Sequence, residues 1–374
     1  MSGNKQGLSI QVIVAILILL AIFLGWLSYP PNSFLSEYAR GLSLTLLGVA
    51  LVVYLTDSLS KRRESHLLTY LEDQRKIQED AQLARESQLM KTQLIREVAS
   101  GDAGLTERAI RELDSRGWLT DGTLANTHLA GANLHGAQLG WVNLSGSYLN
   151  RINLQDADIS YGNMSSANLE GANLARANLD LANFTEADLT EADLSLCSMN
   201  ETDLTGATLE GAILSGSTMV EANLAKVQGE RSALNGTNLE RANMVESNLA
   251  FANMERASLV GANLGWANLS KVNLEKANLS EANLSGANLE DARLNGANLT
   301  GAFLFGSRVT LKSLSTAKSL ANATMPDGMK YEEWMRRQSG EYVPPAAPVA
   351  PVAPPSEYSV TDSPLDYTPS REEI

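Results

Sequence analysis

Acidic side chains are the most abundant groups in this sequence that could carry out chemistry. The chain contains 43 Asp and Glu residues, and a carboxylate within reach of a substrate can act as a general acid or base. Here the carboxylates recur at regular intervals, and no pair is singled out by spacing or by an expected burial. Neighbours such as Glu191 and Asp193 are therefore interpreted as part of a solvated face.

The histidines and the cysteine form no catalytic or metal-binding pattern. His66, His128 and His135 do not follow the spacing of a zinc site. Cys197 is the single cysteine, which excludes a disulfide within the chain and indicates a reducing compartment. Because the sequence also contains no P-loop, GxGxxG motif or Ser–His–Asp set, we expect no catalytic, cofactor-binding or metal-binding residues and no enzymatic activity.

A repeat of five residues sets the positions of most of these side chains. From Leu124 to Leu314 almost every fifth residue is Leu, Met, Ile or Phe, and the residue two before it is small, most often Ala. The run from Gly171 to Leu179 shows the unit, A-N/D-L-x-x. A period of five matches neither a helix nor a strand. Only a chain that turns a corner in every unit can bury all of these central residues.

Four units that close a square predict a coil of about 20 residues. Stacked coils pair about 4.8 Å apart, so roughly 39 units predict almost ten coils and a rod of about 45–50 Å. Asn or Asp before the centre suits a turn, because its side chain bonds nearby backbone and tolerates unusual φ. The predicted core includes Leu134, Leu154, Leu174, Phe184, Leu194, Leu204, Leu264 and Leu284.

This pattern resembles the pentapeptide-repeat family, whose consensus is A(D/N)LxX, over residues from about 120 to 315. The resemblance implies a right-handed quadrilateral β-helix with short strands and tight turns. We therefore expect an all-β solenoid of this kind, preceded by an α-helical transmembrane hairpin and a helical linker. Gly229 replaces a central Leu, which predicts a void that costs roughly a few kcal/mol. Either neighbours such as Val227 fill it, or the unit forms a functional kink or bulge.

Two apolar segments near the N terminus predict a membrane anchor. Leu8–Ser28 is long enough to span a bilayer, and Gly41–Leu59 is a second candidate span. Lys61, Arg62 and Arg63 follow the second segment, so the positive-inside rule places both termini in the cytoplasm of a multi-pass protein in the bacterial inner membrane. A cleaved signal peptide and a buried soluble hairpin are the alternatives. The first of these lacks an A-x-A site.

The remaining composition defines a linker, two caps and a tail. The linker contains no Gly or Pro, which is typical of a helix, and its loose apolar pattern leaves a coiled-coil homo-oligomer open. An open solenoid end exposes strand edges and core, so each end requires a cap, and we expect Trp118 to contribute to the first. The predicted segments are the hairpin at 1–60, the linker at 61–100, the first cap at 101–118, the repeats at 119–316, the second cap at 317–339 and a disordered Pro-rich tail at 340–374.

Surface columns of the predicted rod recur at steps of about 20 residues. One column contains Trp141, Tyr161 and Leu181. These residues predict an apolar stripe that is either a docking site or covered by the linker helix. We therefore expect a non-enzymatic scaffold, tethered to the membrane, whose rigid surface contacts a protein partner that the sequence does not identify.

The charge of the chain supports an alternative function. A net charge of −14 and a pI near 4.8 disfavour direct binding of nucleic acid. Some members of the family that this sequence resembles imitate DNA with an acidic rod and bind type II topoisomerases such as gyrase. Arg and Lys are interspersed with the acidic residues here, and a bilayer anchor would hinder access to such enzymes. The DNA mimic is therefore the alternative to the scaffold.

Overall fold

The structure is a computed structural model, which describes residues 10–27 and 34–338. Its contacts divide the chain into two units, Met1–Arg96 and Glu97–Ile374, and each unit is described separately. The Pro-rich tail predicted at 340–374 lies outside the described residues, as do residues 28–33 between the two predicted spans.

Two helices make up the described part of the first unit. Helix α1 is Ile10–Leu27, and helix α2 is Phe34–Val98, so the second predicted span and most of the predicted linker belong to one unbroken helix. The Ser43 hydroxyl donates a 2.8 Å hydrogen bond to the Ala21 carbonyl. Ala21 and Ala50 are both buried, because small side chains allow two helices to approach closely.

Only part of this unit meets the requirements for crossing a bilayer. In the described part of the chain, one helix, covering Glu37–Val98, is long and apolar enough to span a membrane by length and composition. The apolar segment Ile10–Trp26 is shorter. Most large apolar side chains in these segments are exposed, for example Leu19, Ile22, Phe23, Leu44 and Val52.

The second unit begins with a cap on the solenoid. Helix α3 is Ala103–Ser115, and the Asp102 side chain caps its N terminus with a 2.9 Å hydrogen bond from an amide of the first turn. Ile110 and Leu113 are on its buried face. The Leu113 carbonyl accepts a 2.8 Å bond from the Trp118 amide, which ends the helix and directs the chain into the repeats.

From residue 128 onward the chain coils with a period of 20 residues. Parallel bridges join the residue before each centre to the residue 20 positions later, beginning with His128 and Tyr148. Main-chain hydrogen bonds stabilise each pair, such as the 2.7 Å bond from the Leu174 amide to the Asp193 carbonyl. Each side of a coil contributes one bridging residue, and the described residues contain no longer strand. The short strands implied by the family resemblance are therefore single bridges here.

The central residues form an apolar column along the axis of the coil. Ala is the commonest residue two positions before a centre, and these positions are buried too, because each corner brings them close to the axis. The eight predicted core residues are at most 2% exposed, namely Leu134, Leu154, Leu174, Phe184, Leu194, Leu204, Leu264 and Leu284.

The corners of the coil require a left-handed backbone. Every fifth residue from Asn126 to Gly306, two positions after each centre, has φ between +54° and +72°. The amide of the following residue donates a hydrogen bond to the carbonyl of the central residue, as the Ala132 amide does to the Leu129 carbonyl at 3.1 Å. The positive φ and this hydrogen bond together resemble a type II turn. The Asn or Asp before the centre, which was expected to suit a turn and tolerate unusual φ, instead bridges to the next coil.

The Asn and Asp side chains before the centres stabilise the corners through hydrogen bonds. Oδ1 of Asn268 accepts bonds from the Ser270 amide and hydroxyl at 3.3 and 2.8 Å. The Asn268 Nδ2 donates to Oδ1 of Asn248 at 2.9 Å, and its Oδ1 accepts from Nδ2 of Asn288 at 3.3 Å. The predicted bonding to nearby backbone is confirmed, and the same side chains also form a ladder between coils.

Gly229 leaves neither a void nor a bulge in the coil. An added Cβ would lie 2.9 Å from Cδ2 of Leu249 and 3.5 Å from Cγ1 of Val227, so the side chain of the next coil occupies most of the space. The residue before Gly229 keeps its 20-residue bridges on both sides. Local filling is therefore observed, with Leu249 closer than the Val227 named from the sequence.

The solenoid ends in two short helices. Helix α4 is Leu311–Leu314, and the exposed Lys312 lies in this helix instead of at an inner position. The bridges that follow, such as Phe303 with Thr324, span 21 residues, so α4 adds one residue to the last coil. Helix α5, Tyr331–Gln338, is the final element of the described chain.

Candidate interaction surface

Corner residues determine the surface of the rod, because their side chains point away from the axis. Corners on one edge recur every 20 residues and therefore lie about 4.8 Å apart along the rod. Trp141, Tyr161 and Leu181 occupy three successive corners of one edge, each with a positive φ. We call these three residues the aromatic stripe. The structure thus places together the side chains that the sequence spacing predicted.

The two rings of the aromatic stripe stack on each other. The ring centroids of Trp141 and Tyr161 lie 4.2 Å apart, with an angle of 5° between the planes. The exposed fractions are 63% for Trp141, 45% for Tyr161 and 41% for Leu181. An aromatic pair contributes about 0.5–1.5 kcal/mol beyond its buried area, so the rings hold each other in position while their outer surface stays open.

The same edge becomes charged beyond Leu181. Glu201, Glu221 and Arg241 occupy the next corners, and the Arg241 Nε lies 2.8 Å from Oε1 of Glu221. The aromatic stripe therefore has a polar boundary on this side, as protein-binding patches commonly do.

The histidines do not come together in a site. His128 stacks on Tyr148 with 4.4 Å between the ring centroids, and Nδ1 of His135 lies 2.9 Å from the Gln155 carbonyl oxygen. Over residues 10–27 and 34–338, no group of three His, Cys, Asp or Glu side chains is arranged to hold a metal ion.

Cys197 lies inside the coil, as its small inner position predicts. It is 2% exposed, and its thiol donates a 3.0 Å hydrogen bond to the Leu174 carbonyl. Burial raises the pKa of this thiol to about 12, so it stays protonated at neutral pH and is a poor nucleophile.

A groove between α3 and the first coil was not predicted from the sequence. It has a volume of about 360 Å³. Ile110 and Leu134 line it together with the polar side chains of Arg111, Asp114 and His135. Sequence reasoning considered only the packed axis and missed this space, which arises where the capping helix meets the outer face of the repeats.

Acidic residues dominate the middle of the rod. Residues 177–225, which we call the acidic belt, contain nine Asp and Glu and no Lys, Arg or His. Two members of the belt pair with Arg residues that lie outside it in sequence. Arg231 lies 3.7 Å from Glu210, and Arg241 pairs with Glu221. The prediction that opposite charges are interspersed therefore holds towards the C-terminal coils and is wrong for this middle segment.

Two acidic side chains that pair with Arg, Asp156 and Glu275, have a lowered pKa. Just before the acidic belt, Arg176 donates hydrogen bonds of 2.7 and 2.8 Å to the two carboxylate oxygens of Asp156. These bonds lower the pKa of Asp156. The pKa of Glu275 is lowered as well, first by its hydrogen bond from Arg293 and then by that from Asn295.

A second exposed aromatic group lies near the C-terminal end of the repeats. Trp266, Phe303 and Phe305 are 73%, 48% and 61% exposed, and we call them the C-terminal aromatic patch. Sequence reasoning missed this group, because the 20-residue step from Trp266 leads to Gly286 and Gly306 and passes over Phe305 by one residue.

The basic residues after the second apolar segment lie on the surface of α2. Lys61, Arg62 and Arg63 are exposed, and Nζ of Lys61 is 2.7 Å from Oδ2 of Asp57. This ion pair neutralises one of the three positive charges that the topology prediction used.

Known proteins with the same repeat match the second unit. The sequence profile described as "Pentapeptide repeats" matches in eight copies, over residues 118–146, 137–174, 163–200, 197–228, 230–261 and 262–301. Among solved structures, the chain is similar to HetL of the cyanobacterium Nostoc, a pentapeptide repeat protein involved in heterocyst differentiation regulation. The two are 29% identical over 60% of this chain and 98% of that chain, with a TM-score of 0.24.

Two further structures show the same kind of similarity. QnrB1, a plasmid-mediated fluoroquinolone resistance protein, is 18% identical over 59% of this chain and 96% of that chain, with a TM-score of 0.30. A pentapeptide repeat protein from the thylakoid lumen of Arabidopsis thaliana is 29% identical over 27% of this chain and 64% of that chain, with a TM-score of 0.20. A comparison with curated proteins found no match.

Proposed function

Because the chain belongs to the pentapeptide-repeat family, we propose that it is a non-enzymatic scaffold whose solenoid presents the aromatic stripe to a protein partner. The observation that carries this proposal is the stacked, exposed pair of Trp141 and Tyr161. Exposed aromatic surface of this kind is unfavourable in water, and Trp and Tyr are the residues most enriched in the centres of protein interfaces.

The rigidity of the solenoid supports the proposal. Each coil is joined to the next by main-chain hydrogen bonds on its four sides and by the ladder of Asn side chains. A surface that is fixed before binding loses little conformational entropy when a partner docks. The aromatic stripe therefore needs no rearrangement to serve as a binding surface.

We further propose that α1 and the first part of α2 form a transmembrane hairpin. The support is the apolar surface that both helices expose and their mutual contact through Ala21, Ser43 and Ala50. Lys61, Arg62 and Arg63 would then lie on the cytoplasmic side. In this arrangement both termini and a right-handed solenoid are in the cytoplasm, next to the inner membrane of a bacterium.

Proximity labelling from the full-length protein in its native membrane tests the scaffold function. We expect a reproducible set of labelled neighbours that disappears with Trp141→Glu combined with Tyr161→Glu. These substitutions suit the fold, because Glu201 and Glu221 occupy later corners of the same edge. Leu196→Glu with Phe251→Glu is the matched control, since both residues are exposed corners on other edges. Neighbours that persist in the stripe variant exclude the aromatic stripe as the binding site.

The acidic belt favours a second candidate function, a DNA mimic that binds a type II topoisomerase. Its nine carboxylates span more than two coils that contain no Lys, Arg or His, and its five Glu side chains are exposed, which is a feature that a DNA-binding protein could recognise. A supercoiling assay with purified gyrase and the full-length protein tests it. Inhibition or protection that disappears with Glu186→Lys and Glu191→Lys supports this function, and no effect at micromolar protein excludes it.

A further inference from the structure

The C-terminal aromatic patch lies around one edge of the rod. Trp266 is a corner residue, and the next corners on its edge are Gly286 and Gly306. Phe305 directly precedes Gly306 in the same turn. An added Cβ at Gly286 would lie 2.7 Å from Cε3 of Trp266, so the indole rests directly on the glycine backbone. The edge thus has the Trp266 indole over Gly286 and the Phe305 ring beside Gly306.

Positive charges lie on both sides of this patch. Nζ of Lys330 is 5.5 Å from the centre of the Phe303 ring. Arg308 is exposed on the neighbouring face, and no carboxylate of the described residues forms an ion pair with it. Residues 302–338 contain six Lys and Arg against three Asp and Glu, in a chain whose net charge is −14. The end of the rod is therefore basic, unlike its middle.

The chain itself contains a segment whose chemistry matches this patch. Residues 339–374 contain eight prolines, and six Asp and Glu against one Arg. The segment follows α5, whose N-terminal neighbour Lys330 already lies over Phe303. Proline-rich segments bind aromatic grooves when they adopt the extended polyproline II conformation. In that conformation they extend about 3.1 Å per residue, which is ample to reach two coils back along the rod.

We infer that residues 343–355 of this chain dock on the C-terminal aromatic patch, with the prolines against Trp266 and Phe305. Acidic residues on both sides of this segment, Glu341 and Glu357, would face Lys330 and Arg308. Trp266, held flat against Gly286, supplies the rigid surface on which a proline ring packs well. The tail thereby covers aromatic surface that the described chain leaves open.

A photo-crosslinker placed in the tail of the full-length protein tests this inference. Ser356→Cys provides the attachment site for a benzophenone maleimide, and native Cys197 does not compete because it is buried. After irradiation, mass spectrometry should locate the cross-links mainly on residues 262–308 of the same chain. Mixing chains of natural and heavy isotope content separates links within a chain from links between two copies.

Three variants complete the test. Trp266→Ala with Phe305→Ala should lower the cross-linked fraction about tenfold, as expected for truncating two aromatic anchors. Trp141→Ala removes an equally exposed indole elsewhere and should leave it unchanged. Arg308→Glu should also lower the cross-linked fraction, and by more at low salt than at high salt, because salt screens the contact between opposite charges. Cross-links spread along the rod, links only between different chains, or a yield unaffected by the double variant with its circular dichroism unchanged would overturn the inference.

Discussion

At the scale of single residues, the corners explain why large apolar side chains stand exposed on this rod. A left-handed φ costs a residue other than glycine about 1–2 kcal/mol, yet Trp141, Tyr161 and Trp266 adopt it. The coil fixes φ at every corner through hydrogen bonds that do not involve the corner side chain. Residue type at a corner therefore changes the surface of the rod and leaves its core intact.

The packing at Gly229 predicts that restoring the repeat consensus destabilises the protein. Gly229→Leu introduces a side chain where Cδ2 of Leu249 already lies 2.9 Å from the Cβ position. We expect a loss of about 1–3 kcal/mol, typical of an overpacked core, measured as a lower midpoint of urea unfolding. Combining the change with Leu249→Ala should recover part of the loss. A rise in stability for Gly229→Leu alone would show that a void exists after all.

The burial of Cys197 predicts a thiol that reacts only after unfolding. Its pKa of about 12 keeps the native thiol protonated up to pH 10, whereas an exposed thiol ionises near pH 8.5. Between these two values the unfolded state releases the proton more readily, so rising pH reduces stability in this window. Alkylation at pH 9 should be slow in buffer and fast in guanidinium chloride. Fast native alkylation would contradict the buried position.

At the scale of elements, we expect helix α3 to protect the open end of the solenoid. Leu113→Ala removes a fully buried side chain of α3 and should cost about 2–5 kcal/mol. We expect a lower thermal midpoint and aggregation through the uncovered edge, measured by light scattering during heating. Leu105→Ala is the control, because Leu105 is 41% exposed and its truncation should have little effect. Equal behaviour of the two variants would argue against capping by α3.

The proposed transmembrane hairpin predicts that the protein cannot be washed from membranes. Full-length protein should stay in the pellet after alkaline carbonate extraction, because two apolar helices in the bilayer are not released by breaking ionic contacts. Deleting residues 1–59 should move it to the supernatant. Wild-type protein in the supernatant would exclude the anchor.

The five-residue repeat made the coil of the second unit predictable but not its corner geometry or the contacts at its two ends. The period alone led to the coil, the core and the aromatic stripe, because burial and exposure alternate in step with the sequence. It did not reveal the corner position with positive φ, because Asn is abundant at the bridge and Gly, Glu and Trp all occur at the corner. The groove beside α3 and the extra residue at α4 depend on contacts between distant elements, which periodicity does not contain.

At the scale of the whole second unit, the rod presents three different surfaces along its length. The aromatic stripe lies on the first coils, the acidic belt surrounds the middle and the basic, aromatic end follows. Because each coil is held chiefly by its neighbours, these surfaces can be changed independently. That separation allows the scaffold, the topoisomerase and the tail hypotheses to be tested with different variants of one protein.

The measurement that tests the proposed function most directly is photo-cross-linking from the aromatic stripe in living cells. Replacing Tyr161 with p-benzoylphenylalanine places the reactive group on the stripe, and the same replacement at Leu196 serves as the control on another edge. We predict one discrete protein adduct from position 161, lost when Trp141→Glu is added, and none from position 196. The same adducts from both positions, or none from position 161, would contradict the account.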